Sequence, residues 1–214
     1  MHRLISGIVE FRERQLSKYA ERFRDLALAQ SPDTLMITCS DSRVVPDLLA
    51  STHPGDLFTI RNVGNLIPPA TAEGISIGDV SEASAIEYAL LVLKVANIIV
   101  CGHSECGAMK AVLARNPRPD APNLEKWLHH ASTAAFRLEH EGALEATLQP
   151  HDQLSQLNVL VQTTQQAVTS MQYTLQRLDR AAGNLQGLTG ELRAQPSRLL
   201  FSQPPAQRGE EKPQ

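Results

Sequence analysis

Three side chains with metal-binding chemistry lie close to the ends of two predicted strands. Cys39 follows the apolar run Thr34–Thr38, and the run Asn97–Cys101 is followed by His103 and Cys106. If the two strands are parallel neighbours, their carboxyl ends bring Cys39 beside the loop that carries the other two residues. Two thiolates and one imidazole suit Zn²⁺, and three protein ligands leave a fourth tetrahedral position open, as in catalytic zinc sites.

An acid and a base follow the first of these cysteines at short spacing. Asp41 and Arg43 come two and four residues after Cys39, within reach of each other in an extended turn. Pairing with the guanidinium would keep Asp41 ionised and oriented as a hydrogen-bond acceptor near the metal. We expect these two residues to act in catalysis. The alternative is a surface ion pair worth about 0–1 kcal/mol and without chemical function.

The remaining reactive side chains have simpler interpretations. Cys101 lies inside an apolar run, so we expect it in the core rather than on a metal. His151 and Asp152 are expected to begin a helix rather than to transfer protons.

The three predicted metal ligands have alternative interpretations. On spacing alone, Cys39, His103 and Cys106 could also be two buried thiols and a loop histidine. A thiol redox sensor using Cys39 and Cys106 is a further alternative, since three cysteines cannot form a complete set of disulfides.

These side chains need a scaffold, and the sequence predicts one of alternating strands and helices. Three short runs have the length and apolar content of strands: Thr34–Thr38, Asp56–Ile60 and Asn97–Cys101. Helical patterns surround them: Leu4–Gln30, Glu82–Val95, Ala108–Ala114 and Leu124–Glu141. The alternation predicts an α/β fold with a parallel sheet and helices on its faces. Continuous apolar runs predict strands that are buried on both sides.

The last quarter of the chain has a different character. Ten of the fifteen glutamines follow Val161, which places a boundary there. We therefore predict a zinc domain over 1–161, an amphipathic, coiled-coil helix over 162–194 and a disordered tail over 195–214. The helix is predicted because apolar residues step by three and four positions over about four heptads. They are Val168, Met171, Leu175, Leu178, Ala182, Leu185, Thr189 and Leu192.

Composition excludes several classes of function. The chain has 214 residues, 42% of them hydrophobic and 20% charged, with a net charge of −3, so binding to nucleic acid through bulk charge is not expected. The most apolar stretch, Ala89–Cys101, contains Lys94 and Asn97 and is shorter than the roughly 20 residues that a bilayer needs. Charged residues precede any apolar N-terminal region, so no secretory signal is expected. The expected location is the cytoplasm.

Four motifs, in their order and spacing, resemble those of the β-class carbonic anhydrases. They are Cys39–Arg43, Pro54–Asn65, Ala85–Ala89 and Gly102–Ala108. The resemblance runs from about the N-terminus to Val161. It implies a zinc enzyme that hydrates CO₂ reversibly to bicarbonate and a proton through zinc-bound hydroxide.

The resemblance also implies a function for each site residue. Cys39, His103 and Cys106 would be the zinc ligands. Asp41 and Arg43 would be the pair that orients or gates the fourth position, where Asp41 itself is bound in one resting form of the family. Which form prevails here stays open.

Three further expectations follow from the resemblance. The family forms homodimers or larger homo-oligomers, with the N-terminal helix reaching its neighbour. Met36 stands where some members have a Trp, so we expect their regulatory bicarbonate site to be absent, although Arg61 matches one of its members.

Beyond Val161 the family's last, edge-covering strand is not recognisable, and the segment faintly resembles the C-terminal end of MCE-type lipid-transport proteins. We expect an uncovered sheet edge, reduced stability and reduced activity. The alternative function is that of an impaired anhydrase-like protein that serves as an oligomerisation module.

Overall fold

The computed structural model describes the backbone of residues 1–71, 75–115 and 119–194, and the side chains of these residues except 167–177 and 187–194. Its three strands are β1 (Thr34–Cys39), β2 (Leu57–Asn62) and β3 (Asn97–Cys101). The described α-helices are α1 (His2–Glu10), α2 (Leu16–Leu26), α3 (Pro46–Ala50), α4 (Ser81–Glu87), α5 (Gly107–Ala114), α6 (Pro122–Leu128), α7 (Ser132–His140) and α8 (Pro150–Ala194).

Short irregular helical segments interrupt three of the helical patterns that the sequence predicts. A π-helical segment, Phe11–Gln15, joins α1 to α2, and a second, Tyr88–Leu93, extends α4. A 3₁₀ turn, His129–Ala131, joins α6 to α7. The predicted positions of the helices are confirmed, and the interruptions are additions to them.

The sheet is parallel throughout, as predicted, with β1 at its centre and the strand order β2-β1-β3. Cys39 pairs in register with Asn62, and Thr38 pairs with Cys101. The three strands therefore end at the same edge. This register explains why the loops after β1 and β3 meet.

Burial differs between the central strand and its neighbours. Every residue of β1 is buried, as its continuous apolar run predicts, whereas β2 and β3 are only partly covered. Ile99 in β3 is 48% exposed. The prediction that all three strands are buried on both sides is therefore wrong for β2 and β3, because each lies at an edge of the described sheet.

Two apolar clusters pack against the sheet. One joins the sheet to α4 and its extension, through Leu35, Ile37 and Ile86. The other contains Cys39 and Cys106 together with apolar residues of α5, α7 and α8. The two cysteines that are predicted to bind metal are thus part of a packed core rather than of a surface loop.

Helix α8 begins at Pro150, so the prediction that His151 and Asp152 begin a helix is confirmed. Leu154, Leu157 and Val161 pack into the cluster that contains the two cysteines. The boundary predicted near Val161 falls within this continuous helix.

The chain divides into two compact units, Met1–Ser170 and Met171–Gln214. In the second unit, Leu178 and Leu185 are 61% and 62% exposed. The predicted tail over 195–214 lies outside the described residues, as do the side chains at the other large apolar heptad positions. None of the described helices is both long and apolar enough to cross a membrane.

Candidate metal centre

The three predicted ligands converge at the carboxyl edge of the sheet. One ligand atom from each of Cys39, His103 and Cys106 lies within 4.8 Å of the others. Cys39 is the last residue of β1, His103 lies in the loop after β3, and Cys106 is the N-cap residue of α5. Both cysteines are buried free thiols, and the His103 side chain is 14% exposed.

The imidazole of His103 is oriented as a metal ligand would be. Its Nδ1 lies 2.8 Å from the carbonyl oxygen of Ser104, so Nδ1–H donates there and the lone pair stays on Nε2. Nε2 is buried and has no hydrogen-bond partner among the described residues. A buried acceptor without a partner costs about 1–3 kcal/mol, which a bound cation would offset. The donor set of two sulfurs and one nitrogen fits zinc.

The two thiols differ in acidity because a hydrogen bond joins them. Hydrogen bonds from the Cys106 thiol and from backbone N–H groups of Asp41 and Gly64 hold the pKa of Cys39 well below its usual value, although burial opposes the shift. The pKa of Cys106 is raised, first by its bond with Cys39 and then by burial. A metal ion bound to both sulfurs would displace both thiol protons, because the thiolate is the form that binds metal.

A glycine provides one of the hydrogen bonds to sulfur. The N–H of Gly64 donates to Cys39 Sγ at 3.3 Å. Gly64 has a φ of +84°, and a Cβ there would lie 2.9 Å from Ala108 Cβ. Only glycine fits this left-handed, crowded position without strain.

Arg43 holds the carboxylate of Asp41 with three nitrogens. Its backbone N and its Nε lie 2.9 Å from Oδ1, and its Nη2 lies 2.8 Å from Oδ2. These bonds hold the pKa of Asp41 well below its usual range and raise the pKa of Arg43. Oδ2 of Asp41 also lies 4.0 Å from Nε2 of His103. The carboxylate is thus ionised, fixed and close to His103, a predicted metal ligand.

Arg61 supports the loop after β1. Its Nη2 donates to the carbonyl oxygens of Cys39 at 3.2 Å and Asp41 at 2.9 Å. The sequence associates Arg61 only with a regulatory site, whose expected absence stays a prediction. A contact with backbone carbonyls has no sequence signal, so this supporting contact is found only in the structure.

Helix α8 contacts the loops after β2 and β3, and no motif in the sequence predicts these contacts. Oδ1 of Asp152 accepts a hydrogen bond from the N–H of Glu105 at 2.6 Å. The hydroxyl of Ser155 donates to the carbonyl oxygen of His103 at 3.0 Å, and Asn158 Nδ2 donates to that of Gly64 at 3.1 Å. The spacing of three residues places all three side chains along one side of the helix, and polar residues at this spacing could have indicated the face.

A buried amide extends this face by one turn. Gln162 Nε2 donates to Asn158 Oδ1 at 3.1 Å, and Gln162 Oε1 accepts from the N–H of Ile67 at 3.1 Å. Both amide side chains are almost fully buried. The loop from Gly64 to Ile67, which carries a donor to Cys39, is therefore fastened at both ends.

Two other residues lie close to the site without belonging to the ligand group. Cys101 is half-buried at the end of β3, and burial raises the pKa of its thiol. His151 Nε2 lies 3.0 Å from Glu105 Oε1, so this histidine contacts the loop between His103 and Cys106 rather than solvent alone.

Comparison with known proteins gives consistent matches. The sequence profile of the carbonic anhydrase family matches residues 34–193. The chain is 43% identical to a carbonic anhydrase of Pseudomonas aeruginosa over 163 residues, which are 76% of this chain and 71% of that protein. It is 45% identical to a carbonic anhydrase of Synechocystis over 148 residues, 68% of this chain but only about half (52%) of that protein.

Solved structures match as well. The β-carbonic anhydrase CcaA has a TM-score of 0.69 at 38% identity, covering 84% of this chain and 85% of that chain. A tetrameric β-carbonic anhydrase of Sordaria macrospora has a TM-score of 0.60 at 29% identity, covering 74% of this chain and 75% of that chain.

Proposed function

This chain belongs to the β class of carbonic anhydrases, a family of zinc enzymes, and on that premise we propose that it hydrates CO₂ reversibly at the site described above. Cys39, His103 and Cys106 would hold the zinc. The observation that carries the proposal is the meeting of two buried thiols and an unpaired imidazole nitrogen beside a fixed carboxylate.

Cys39, His103 and Cys106 would hold a zinc ion, which when bound would lower the pKa of water to about 7 and so make hydroxide available at neutral pH. The ionised Asp41 can only accept hydrogen bonds, so it orients the attacking hydroxyl by accepting its hydrogen and leaves the oxygen lone pair for CO₂. Arg43 holds Asp41 in this orientation. If this pairing breaks, the carboxylate is free to approach the metal itself, and the alternative resting form would result.

Metal analysis of the purified chain tests the proposal. We expect about one zinc per chain, with the metal lost on Cys39→Ser and retained on Cys101→Ser, which removes a thiol outside the ligand group. A chain that purifies without metal and forms a reversible Cys39–Cys106 disulfide would instead support the redox sensor.

We infer that the chain assembles as a homo-oligomer and that the helical segment 162–194 contributes to assembly as a coiled coil. The heptad spacing, the exposure of Leu178 and Leu185 and the tetrameric relative support this inference. The two free ligand thiols favour a reducing compartment, for which we propose the cytoplasm.

A further inference from the structure

We propose that Asp152 is a positioning residue for the Asp41–Arg43 pair and acts through the backbone of Glu105. The inference rests on the proposed function, because the pair orients the reacting hydroxyl there. Asp152 lies in the first turn of α8 and is 46 residues from the nearest metal ligand in sequence. Its side chain is 16% exposed.

Asp152 makes a hydrogen bond to the loop that carries His103 and Cys106. Glu105 has a φ of +58°, a left-handed conformation that is unfavourable for a residue with a Cβ. The Glu105 N–H donates to Oδ1 of Asp152 at 2.6 Å, and a bond to a carboxylate is stronger than one to a neutral acceptor. Asp152 therefore stabilises Glu105 in its left-handed conformation.

Glu105 in turn contacts the Asp41–Arg43 pair. The carbonyl oxygen of Glu105 accepts a hydrogen bond from Nη2 of Arg43 at 3.0 Å. The same nitrogen donates to Oδ2 of Asp41 at 2.8 Å. One guanidinium nitrogen thus joins Glu105 to Asp41. If Glu105 leaves the left-handed conformation, its carbonyl turns away and Arg43 loses an anchor.

Other charged groups surround Glu105 and Asp152. The carboxylate of Glu105 bonds to Lys110 and to Nε2 of His151, which also lies 3.7 Å from Oδ1 of Asp152. These contacts hold the side chain of Glu105, whereas Asp152 holds its N–H. The N–H contact instead holds the backbone of Glu105 at its φ angle, and the carbonyl oxygen of the same residue reaches Arg43.

The kinetics of CO₂ hydration by the zinc-loaded full chain test the proposal. We expect Asp152→Ala to lower kcat by about 10- to 100-fold, the usual effect of losing a support to a metal site. Asp152→Asn keeps an acceptor oxygen and should retain most of the activity. Asp179→Ala removes an exposed carboxylate further along the same helix and should have no effect.

A double-mutant cycle separates positioning from a general structural effect. If Asp152 acts through Arg43, then adding Asp152→Ala to Arg43→Ala should lower kcat by less than about twofold, because the contact is already lost. Adding Asp152→Ala to Glu105→Gly should also cost less than it does alone, because glycine adopts the left-handed conformation without support. Effects that multiply in both backgrounds would overturn the proposal.

The visible spectrum of the cobalt-substituted chain gives a readout that does not depend on turnover. A released Asp41 can approach the metal, so Asp152→Ala should shift the spectrum in the same direction as Arg43→Ala. An unchanged spectrum in Asp152→Ala beside a shifted one in Arg43→Ala would contradict the inference. If wild-type chain shows no CO₂ hydration, the proposed function fails, but the spectra still decide on positioning. If Asp152→Ala does not fold, the comparison is made in the Glu105→Gly background.

Discussion

Asp41 accepts hydrogen bonds from three nitrogens of one residue, Arg43, and each of its carboxylate oxygens receives at least one of them. A carboxylate held in this way has a lowered pKa and a fixed orientation. Both properties are needed to accept the hydrogen of a hydroxyl and not to donate one. The proposed chemistry therefore depends on both the charge and the orientation of the Asp41 side chain.

Replacing Asp41 with Asn tests this dependence. The amide keeps the shape but can donate a hydrogen, so we expect kcat for CO₂ hydration to fall by about 10²- to 10³-fold. Zinc content should stay close to one per chain, because the three proposed protein ligands, Cys39, His103 and Cys106, are unchanged. Asp47→Asn, at an exposed carboxylate in α3, is the control. Wild-type rates in a stopped-flow indicator assay would show that Asp41 has no such function.

The crowded, left-handed position of Gly64 can be tested by substitution. Gly64→Ala should lower the free energy of unfolding by about 1–3 kcal/mol through backbone strain and the close contact with Ala108. Gly142 has a similar φ of +87° but no heavy atom of the described chain near its Cβ position, so Gly142→Ala measures the strain alone. Urea unfolding of both variants gives the comparison. Equal losses would show that close packing at Gly64 is unimportant.

The first turns of helix α8 support the candidate metal centre through hydrogen bonds to its loops. Two loops of the site exchange hydrogen bonds with polar side chains of this helix. Asp152 and Ser155 contact the loop after β3, which carries His103 and the carbonyl of Glu105 that holds Arg43. Asn158 and Gln162 contact the loop after β2, where Gly64 donates to Cys39. The helix therefore belongs to the site even though it contributes none of the proposed ligands.

Asn158→Ala measures the strength of this support. The change leaves the carbonyl of Gly64 and one donor of Gln162 buried without partners, so we expect a loss of about 2–3 kcal/mol in the free energy of unfolding. Thr164→Ala, at an exposed position on the same helix, should change it by less than about 0.5 kcal/mol. Similar losses in both variants, measured by denaturant unfolding, would contradict this account of α8.

Asp56, the residue before β2, contacts Arg22 of α2, and this contact predicts that the free energy of unfolding depends on pH. Asp56 accepts from the N–H of His53 and pairs with Arg22, and both contacts lower its pKa. Because the folded-state pKa is lowered, the stabilisation is complete above the unfolded value of about 3.9 and is lost as the pH falls through the folded-state pKa. Wild type should therefore be more stable than Asp56→Asn near neutral pH, and the difference should shrink in acid. A constant difference from pH 6 to pH 2.5, in urea titrations, would refute the assignment.

Much of the architecture could be predicted from the sequence because apolar runs and residue types carry it. The strands begin and end within two residues of their predicted positions, and the parallel order brings Cys39 to the loop of His103 and Cys106. What could not be predicted are contacts made by backbone atoms. The left-handed Glu105 and the carbonyl contacts of Arg61 depend on dihedral angles that residue types do not encode.

Helix α8 shows a second limit of sequence interpretation. Asn158 and Gln162 lie next to the glutamine-rich boundary and have the composition of a solvated surface, so their burial has no signal in hydropathy alone. The boundary near Val161 stays a prediction of composition, whereas the packing of the helix is set by amide groups that find buried partners.

At the scale of the whole molecule, apolar surface remains exposed on the single chain. Leu4 and Ile8 in α1 are 73% and 62% exposed, and Ile99 lies open at the β3 edge. Surface of this kind marks interaction sites in soluble proteins. Assembly with further copies would cover it, as the proposed homo-oligomer requires.

Substitutions in the heptad pattern test the contribution of α8 to assembly. Leu178→Glu combined with Leu185→Glu places charges on the proposed coiled-coil seam, so we expect a smaller particle mass in light scattering with unchanged zinc content. Arg180→Glu, at an exposed position off the seam, should leave the mass unchanged. An unchanged mass in the double variant would show that this helix does not hold the oligomer together.

The measurement that tests the central claim most directly is the stopped-flow rate of CO₂ hydration by the full chain, expressed per zinc bound. The account predicts turnover well above the buffer rate at neutral pH, lost together with the metal in Cys106→Ser. A zinc-loaded chain no faster than buffer, or a metal-free variant as fast as wild type, would contradict it.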